Sequence, residues 1–214
     1  MKPILSKIPV SSVIALIATV FFCGFLLMSI VSYPPGFSPL KNWMSDLGNP
    51  GLNPAGYAYF NWADGVTGLL LIGFYLGLSR WLHLGIVNKT LLAAAMACGI
   101  FSGIALAGVG YFNESFDPEH FIVSVLFFLS STLAILLATL ALRGNPGFSR
   151  ATAWAGYLTA AVGVVFAIQR PTIESITILE WISVFLMLLW AALISIDLYR
   201  SSAKRNMGPA VKGR

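Results

Sequence analysis

Apolar runs long enough to cross about 30 Å of hydrocarbon recur six times along the chain, near residues 10–33, 62–83, 90–112, 120–142, 151–169 and 176–198. Most charged residues lie in the connections between them or near the ends of the runs. The pattern predicts an all-α fold, a polytopic bundle of six transmembrane helices, because a spanning helix satisfies all its own backbone hydrogen bonds in lipid.

One connection differs from the others. Between the first two runs lies Trp43-Met44-Ser45-Asp46-Leu47-Gly48-Asn49-Pro50-Gly51-Leu52-Asn53-Pro54, leading on to Asn61-Trp62-Ala63-Asp64-Gly65. So many acids, asparagines and aromatics suit a bilayer only at a site or a rim. The loop is expected to be ordered. Ser38-Pro39 reads as an N-cap with proline at N1 and Gly48 as a closing glycine, so about two turns of helix are predicted there. Asn53-Pro54 repeats the start signal. A second span begun there would carry Tyr57, Tyr59, Phe60 and Trp62 through the interface and set Asn61, Asp64 and Gly68 on one face.

Further along, Ala95, Gly99, Gly103 and Ala107 recur every four residues in the third run, as do Gly73 and Gly77 in the second. Small stripes let helices approach closely, so spans two and three are expected to touch. Asp117-Pro118 is a helix start that puts His120 in the first turn of span four with Ser124 one turn below. Ser149 is placed to cap span five. A last helix begun near Pro171 would bury Glu180 about 13 Å deep at 1.5 Å per residue, where an acid must face protein or water.

Composition agrees with the pattern: the chain is 57% apolar and 10% charged, with a mean hydropathy of +0.83, whereas a soluble domain is about a quarter charged. The net charge of +5 does not indicate nucleic acid, because its positions follow membrane topology. Eleven basic residues fall on the side of the termini and only Lys41 and Arg170 on the other, so the positive-inside rule makes both termini cytoplasmic. Residues 1–200 form the six-span domain. Residues 201–214 form a basic tail suited to anionic headgroups. Lys2 and Lys7 before the first run imitate a secretory signal, but the run is too long for one and is expected to remain as a span. Cys23 and Cys98 read as small buried hydrophobes.

Seven of the eight acids fall on the side opposite the termini, leaving only Asp197. His120, Asp64, Glu180, Asp46 and Glu114 are therefore the candidate catalytic residues. Ser45, Asn49, Asn61, Asn113, Ser124 and Arg170 are the candidates for contacting a substrate. His120 can act as acid or base beside carboxylates. Loop acids Asp117 and Glu119 read as headgroup-zone residues. The spacings typical of zinc ligands and the Gly-x-Ser-x-Gly elbow are absent, so a metal such as zinc is the weaker reading and no cofactor is expected.

The residues Ser45-Asp46-Leu47-Gly48, Asn61 with the glycines that follow, and Gly110-x-Phe112-x-Glu114 ahead of His120 resemble the six-span prokaryotic family called domain of unknown function nine-nine-eight. The resemblance covers nearly the whole chain and implies architecture rather than a reaction. A weaker similarity, in Ser-Asp-x-Gly and the span-four histidine, reaches eukaryotic membrane proteins of GPI-anchor lipid remodelling and autophagy modulation, and implies lipid as ligand.

The expectation is a lipid-active membrane protein, of hydrolase or transferase type, with an ionisable pocket in the extracytoplasmic leaflet and membrane lipids as partners. In this reading Asp64, His120 and Glu180 converge within about 10 Å of one another, and Asp46, Asp64 or Glu114 orients the imidazole. The alternatives are a proton-linked carrier of a small solute or lipid, and a structural protein without catalysis.

Overall fold

The computed structural model describes residues 9–168 and 176–207, so Arg170 and the Pro171 helix start lie outside the described residues. The described residues form six α-helices: α1 Val10–Ser32, α2 Tyr57–Gly77, α3 Lys89–Tyr111, α4 Glu119–Leu142, α5 Arg150–Ile168 and α6 Ile178–Met207. A 3-10 segment, Leu78–His83, continues α2. All six are long and apolar enough to cross a membrane. Their outward faces are apolar, with Val20, Leu69, Ile104, Leu129 and Val164 exposed, as lipid requires. Each helix packs on the next in sequence and α6 returns to α1, which closes the bundle into a ring.

Helix starts follow local chemistry where nothing competes. The Asn88 side chain accepts from the Leu91 amide and opens α3. Ser149 Oγ accepts from Thr152 N and opens α5, as its sequence position predicts. Asp197 of α6, which shows no such role in sequence, reinforces that start by accepting from Ser149 N and Thr152 Oγ1.

Where tertiary partners compete, the local signals lose. The helix predicted from Ser38 is only a turn, in which Ser38 O accepts from the Lys41 and Asn42 amides. Regular structure resumes as one 3-10 turn, Ser45–Gly48. The reason is that backbone groups a helix would use are taken by α6: Met44 N donates to Glu180 Oε2 and Asn42 O accepts from Trp181 Nε1. α2 begins at Tyr57 instead of Pro54. Glu180 stands in the first turn of α6 rather than deep within it. α6 also runs on into the basic tail as far as Met207. Cys23 and Cys98 are free and only half buried.

Spans two and three do touch, through backbone. A Cβ on Gly103 would lie 2.6 Å from Gly68 O, and one on Gly110 would lie 2.5 Å from Asn61 O. Gly73 and Gly77, however, face α1, where their neighbours are Ile14 and Ser11. The two stripes thus serve two interfaces. In lipid no hydrophobic force drives helices together, so such close van der Waals contact carries much of the association.

Gly103→Leu should therefore lower the melting temperature in detergent, by overpacking worth about 1–3 kcal/mol. Gly24→Leu is the control, since a Cβ at Gly24 meets nothing within 4 Å. Equal melting temperatures for the two variants would refute the α2–α3 contact.

Candidate functional site

The connection between α1 and α2 folds into one mouth of the ring. Asn53, fully buried, donates through Nδ2 to Ser29 O, Ser29 Oγ and Leu47 O, at 2.9–3.2 Å. Its Asn-Pro context suggested a helix cap, but the side chain bolts the loop to α1. Thr177 Oγ1 donates to Pro39 O, and Asn61 Nδ2 donates to Gly48 O at 3.1 Å. Met44 and Leu47 are driven inward onto Phe22, Leu26, Phe60, Ala63 and Trp181.

Beneath this loop is a cavity with ≈ 80 Å³ open to the centres of water-sized molecules, several times the 10–15 Å³ that one water needs. It is bordered by α1, α2, α3, α4, α6 and the loop, so it is the lumen of the ring. Its lining includes Asp64 and Tyr75 on α2, Ser124 and Ile135 on α4, and Glu180 and Ala191 on α6. Each of those pairs is eleven residues apart, which at 1.5 Å per residue makes the lumen about 16 Å long. Its shallow end carries Ser45, Asp64, Ser124 and Glu180. The shaft below is lined chiefly by apolar groups such as Phe74, Ile135 and Trp190. Beyond the shaft the ring is plugged by Leu78, Trp81, Leu92, Leu142 and Leu198, each 1% exposed or less.

The two lumen acids differ. Glu180 is 8% exposed and accepts from the Met44 amide at 2.5 Å and from the Ser45 amide. Asp64 is 4% exposed, stands about 10 Å along α2 from Tyr57, and has no hydrogen-bond partner among the described residues. Glu180 is close enough to act on it electrostatically. No lysine, arginine or histidine borders the lumen among the described residues.

His120 is not among the lining residues. It stands beside the lumen and reaches it through Ser124, whose Oγ is 3.4 Å from Nε2. Nor does a carboxylate orient the ring: Nδ1 lies 2.8 Å from Phe112 O. A carbonyl only accepts, so Nδ1 carries the proton, and in the neutral ring Nε2 is left to accept from Ser124. Other helical hydroxyls, Thr19, Ser32, Ser130 and Thr159, bond back to the carbonyl four residues earlier. Ser124 is turned to the imidazole instead.

Above the lumen the remaining candidates form a second cluster. Glu114 accepts from Asn49 Nδ2 at 3.1 Å and from Ser45 Oγ at 3.5 Å. Asp46 accepts from Asn42 Nδ2 at 2.9 Å, and Asn42 Nδ2 also reaches Tyr33 Oη at 3.4 Å. Burial raises the Glu114 carboxyl above its ordinary range; the Asn49 bond opposes this and the adjacent Asp46 adds to it. Partial burial, with Asp46 and Glu114 nearby, likewise raises the Tyr33 phenol. Asn113 turns away to bond Ser115 locally, and Asp117 and Glu119 are exposed. No group of three or more His, Cys, Asp or Glu able to hold a metal ion occurs among the described residues.

Six apolar helices, five of them bordering a lumen with an acidic mouth, define a multi-pass membrane protein. The chain belongs to the family described as Protein of unknown function (DUF998), whose model matches residues 15–197, from the first helix into the last. No curated protein and no solved structure matches it.

The raised Glu114 carboxyl has a measurable consequence. The folded chain holds this proton at pH values where the unfolded chain has lost it, so the native state binds more protons and stability falls as pH rises. The window opens at the ordinary glutamate value of 4.5 and runs upward to the folded value. Thermal stability in detergent across that window should fall less steeply in Glu114→Gln than in the parent, and identical slopes would contradict the assignment.

Proposed function

We propose that this protein binds a membrane amphiphile, tail in the shaft and headgroup at the acidic mouth, and acts on it as a hydrolase or transferase. The observation that carries the reading is the lumen itself, about 16 Å long, with four polar side chains at one end and an apolar shaft below. A soluble metabolite has no use for such a shaft, and water held in it would find few polar partners. An alkyl chain gains by filling it.

The chemistry would fall to Ser124 and His120. As Ser124 Oγ bonds to a carbonyl carbon of the substrate, its proton passes to Nε2 of His120, and the same proton then leaves with the departing alcohol oxygen. Water or a second alcohol would release the acyl group by the reverse steps. The Ser124–His120 separation of 3.4 Å is longer than the 2.6–3.2 Å of a working dyad, as is common before substrate binds. Phe112 O has the orienting role that a carboxylate has in other sites of this kind. The proton-linked carrier is less well supported, because the shaft ends on the large buried apolar side chains Leu78, Trp81, Leu92, Leu142 and Leu198.

The distribution of lysine and arginine supports an extracytoplasmic position for the acidic mouth, with both termini in the cytoplasm. A reporter inserted after Gly51 should then read outside and one after Arg214 inside; the opposite result reverses the leaflet from which substrate enters.

Native mass spectrometry of protein extracted with its lipids tests the binding reading. Ala191→Phe, at the deep end of the shaft, should shift the retained lipid toward shorter chains, while Ser124→Ala should retain the parent's lipid and lose turnover of it. An unchanged lipid profile in Ala191→Phe would remove the lumen as a binding site. Full turnover by Ser124→Ala would remove the nucleophile.

A further inference from the structure

The polar end of the lumen has a definite electrostatic character. Two carboxyl groups, those of Asp64 and Glu180, face it, both more than nine-tenths buried. Among the described residues that border it there is no basic side chain to balance them. Buried acids are ordinarily paired, because a lone carboxylate in an apolar setting is costly. Here the pairing is incomplete in a specific way. Glu180 is met by the Met44 and Ser45 amides, whereas neither oxygen of Asp64 is engaged among the described residues, so the open carboxyl at this end is that of Asp64.

We infer that the lumen takes an amphiphile whose headgroup is a primary ammonium, with its charge between Asp64 and Glu180 and its alkyl chain in the shaft. This rests on the amphiphile reading above and adds to it the identity of the headgroup. A primary ammonium offers three N–H donors and no acceptor, which suits the two open Asp64 oxygens with the Glu180 carboxyl close by. It also supplies the positive charge that the lining omits, and charge-assisted hydrogen bonds of this kind are about twice as strong as neutral ones. A headgroup phosphate or carboxylate would instead meet two acids and no basic partner. A hard metal ion would ask for more oxygen ligands than this end presents.

The test uses the full chain in phosphatidylcholine nanodiscs and three photoreactive probes. The probes share one diazirine-bearing dodecyl chain and end in an ammonium, a hydroxyl or a carboxylate; crosslinks are mapped to peptides of α4 and α6. The ammonium probe should label the lumen at concentrations about tenfold or more below the hydroxyl probe, and the carboxylate probe should label least. Asp64→Asn should erase the ammonium preference and leave hydroxyl labelling unchanged, and Asp64→Glu should restore it. If Asp64→Asn does not fold, Glu180→Gln serves in its place, with a partial loss of preference expected because Asp64 remains.

Equal labelling by the ammonium and hydroxyl probes would overturn the headgroup assignment while leaving the amphiphile reading intact. So would a preference that survives Asp64→Asn. Protection from labelling by sodium or methylammonium at the ammonium probe's own concentration would mark a simple cation site and overturn the assignment as well. Absence of labelling from the lumen peptides with every probe would overturn both readings together.

Discussion

The bond from the Met44 amide to the Glu180 carboxylate ties the first connection of the chain to the start of its last helix. Much of the architecture depends on it. A carboxylate buried at this depth must be met by a donor or bear a penalty of several kcal/mol. The Met44 amide meets it, and in doing so is withdrawn from the local helix that Ser38-Pro39 would otherwise have begun. The loop is held flat across the mouth, and Ser45 is carried to the rim between the lumen and the Glu114 cluster. Trp181 and Thr177 add bonds from the same end of α6 to the same loop. The ring is thus closed by polar contacts at the mouth and by apolar packing at the plug.

This division explains why the lumen sits where it does. At the plugged end large side chains such as Trp81 and Leu142 fill the ring and leave no space. Toward the mouth the inward positions include small residues, Ala15, Ala18, Ser131 and Ala191, and the space they leave is the shaft. The helices cannot close it by moving inward, because backbone contact between α2 and α3 already fixes their spacing at Gly68, Gly103 and Gly110. A cavity kept open by rigid contacts around it is suited to an occupant, since filling it restores dispersion contacts that the empty lining forgoes.

The mouth separates two polar arrangements with different characters. Asp46, Glu114, Asn42, Asn49 and Tyr33 satisfy one another in a partly exposed network. The Asp64 carboxyl is left open toward the lumen. Networks of the first kind hold a shape, and open groups of the second kind bind. Ser45 borders the lumen and also bonds Glu114 at 3.5 Å, so the two arrangements share a residue.

Much of the fold was legible in the sequence because bilayer thickness and backbone satisfaction leave a long apolar run few alternatives to a spanning helix. That logic yielded six spans, a close α2–α3 approach at Gly103, and the α5 cap at Ser149. The same residues that carried the resemblance, Ser45 to Gly48, Asn61 and Glu114, lie in the family match and around the mouth. Tertiary structure decided what depends on contacts across the ring. Asn53 looked like a cap and is a bolt, Gly73 and Gly77 serve α1, Asp197 caps α5 from another helix, and His120 meets a backbone carbonyl instead of an acid. Helix periodicity assigns a residue to a face, but it does not say which neighbour that face will meet. A buried polar side chain takes whichever partner the packed ring brings to it, and that partner can lie, as Glu180 does from Met44, at the other end of the chain.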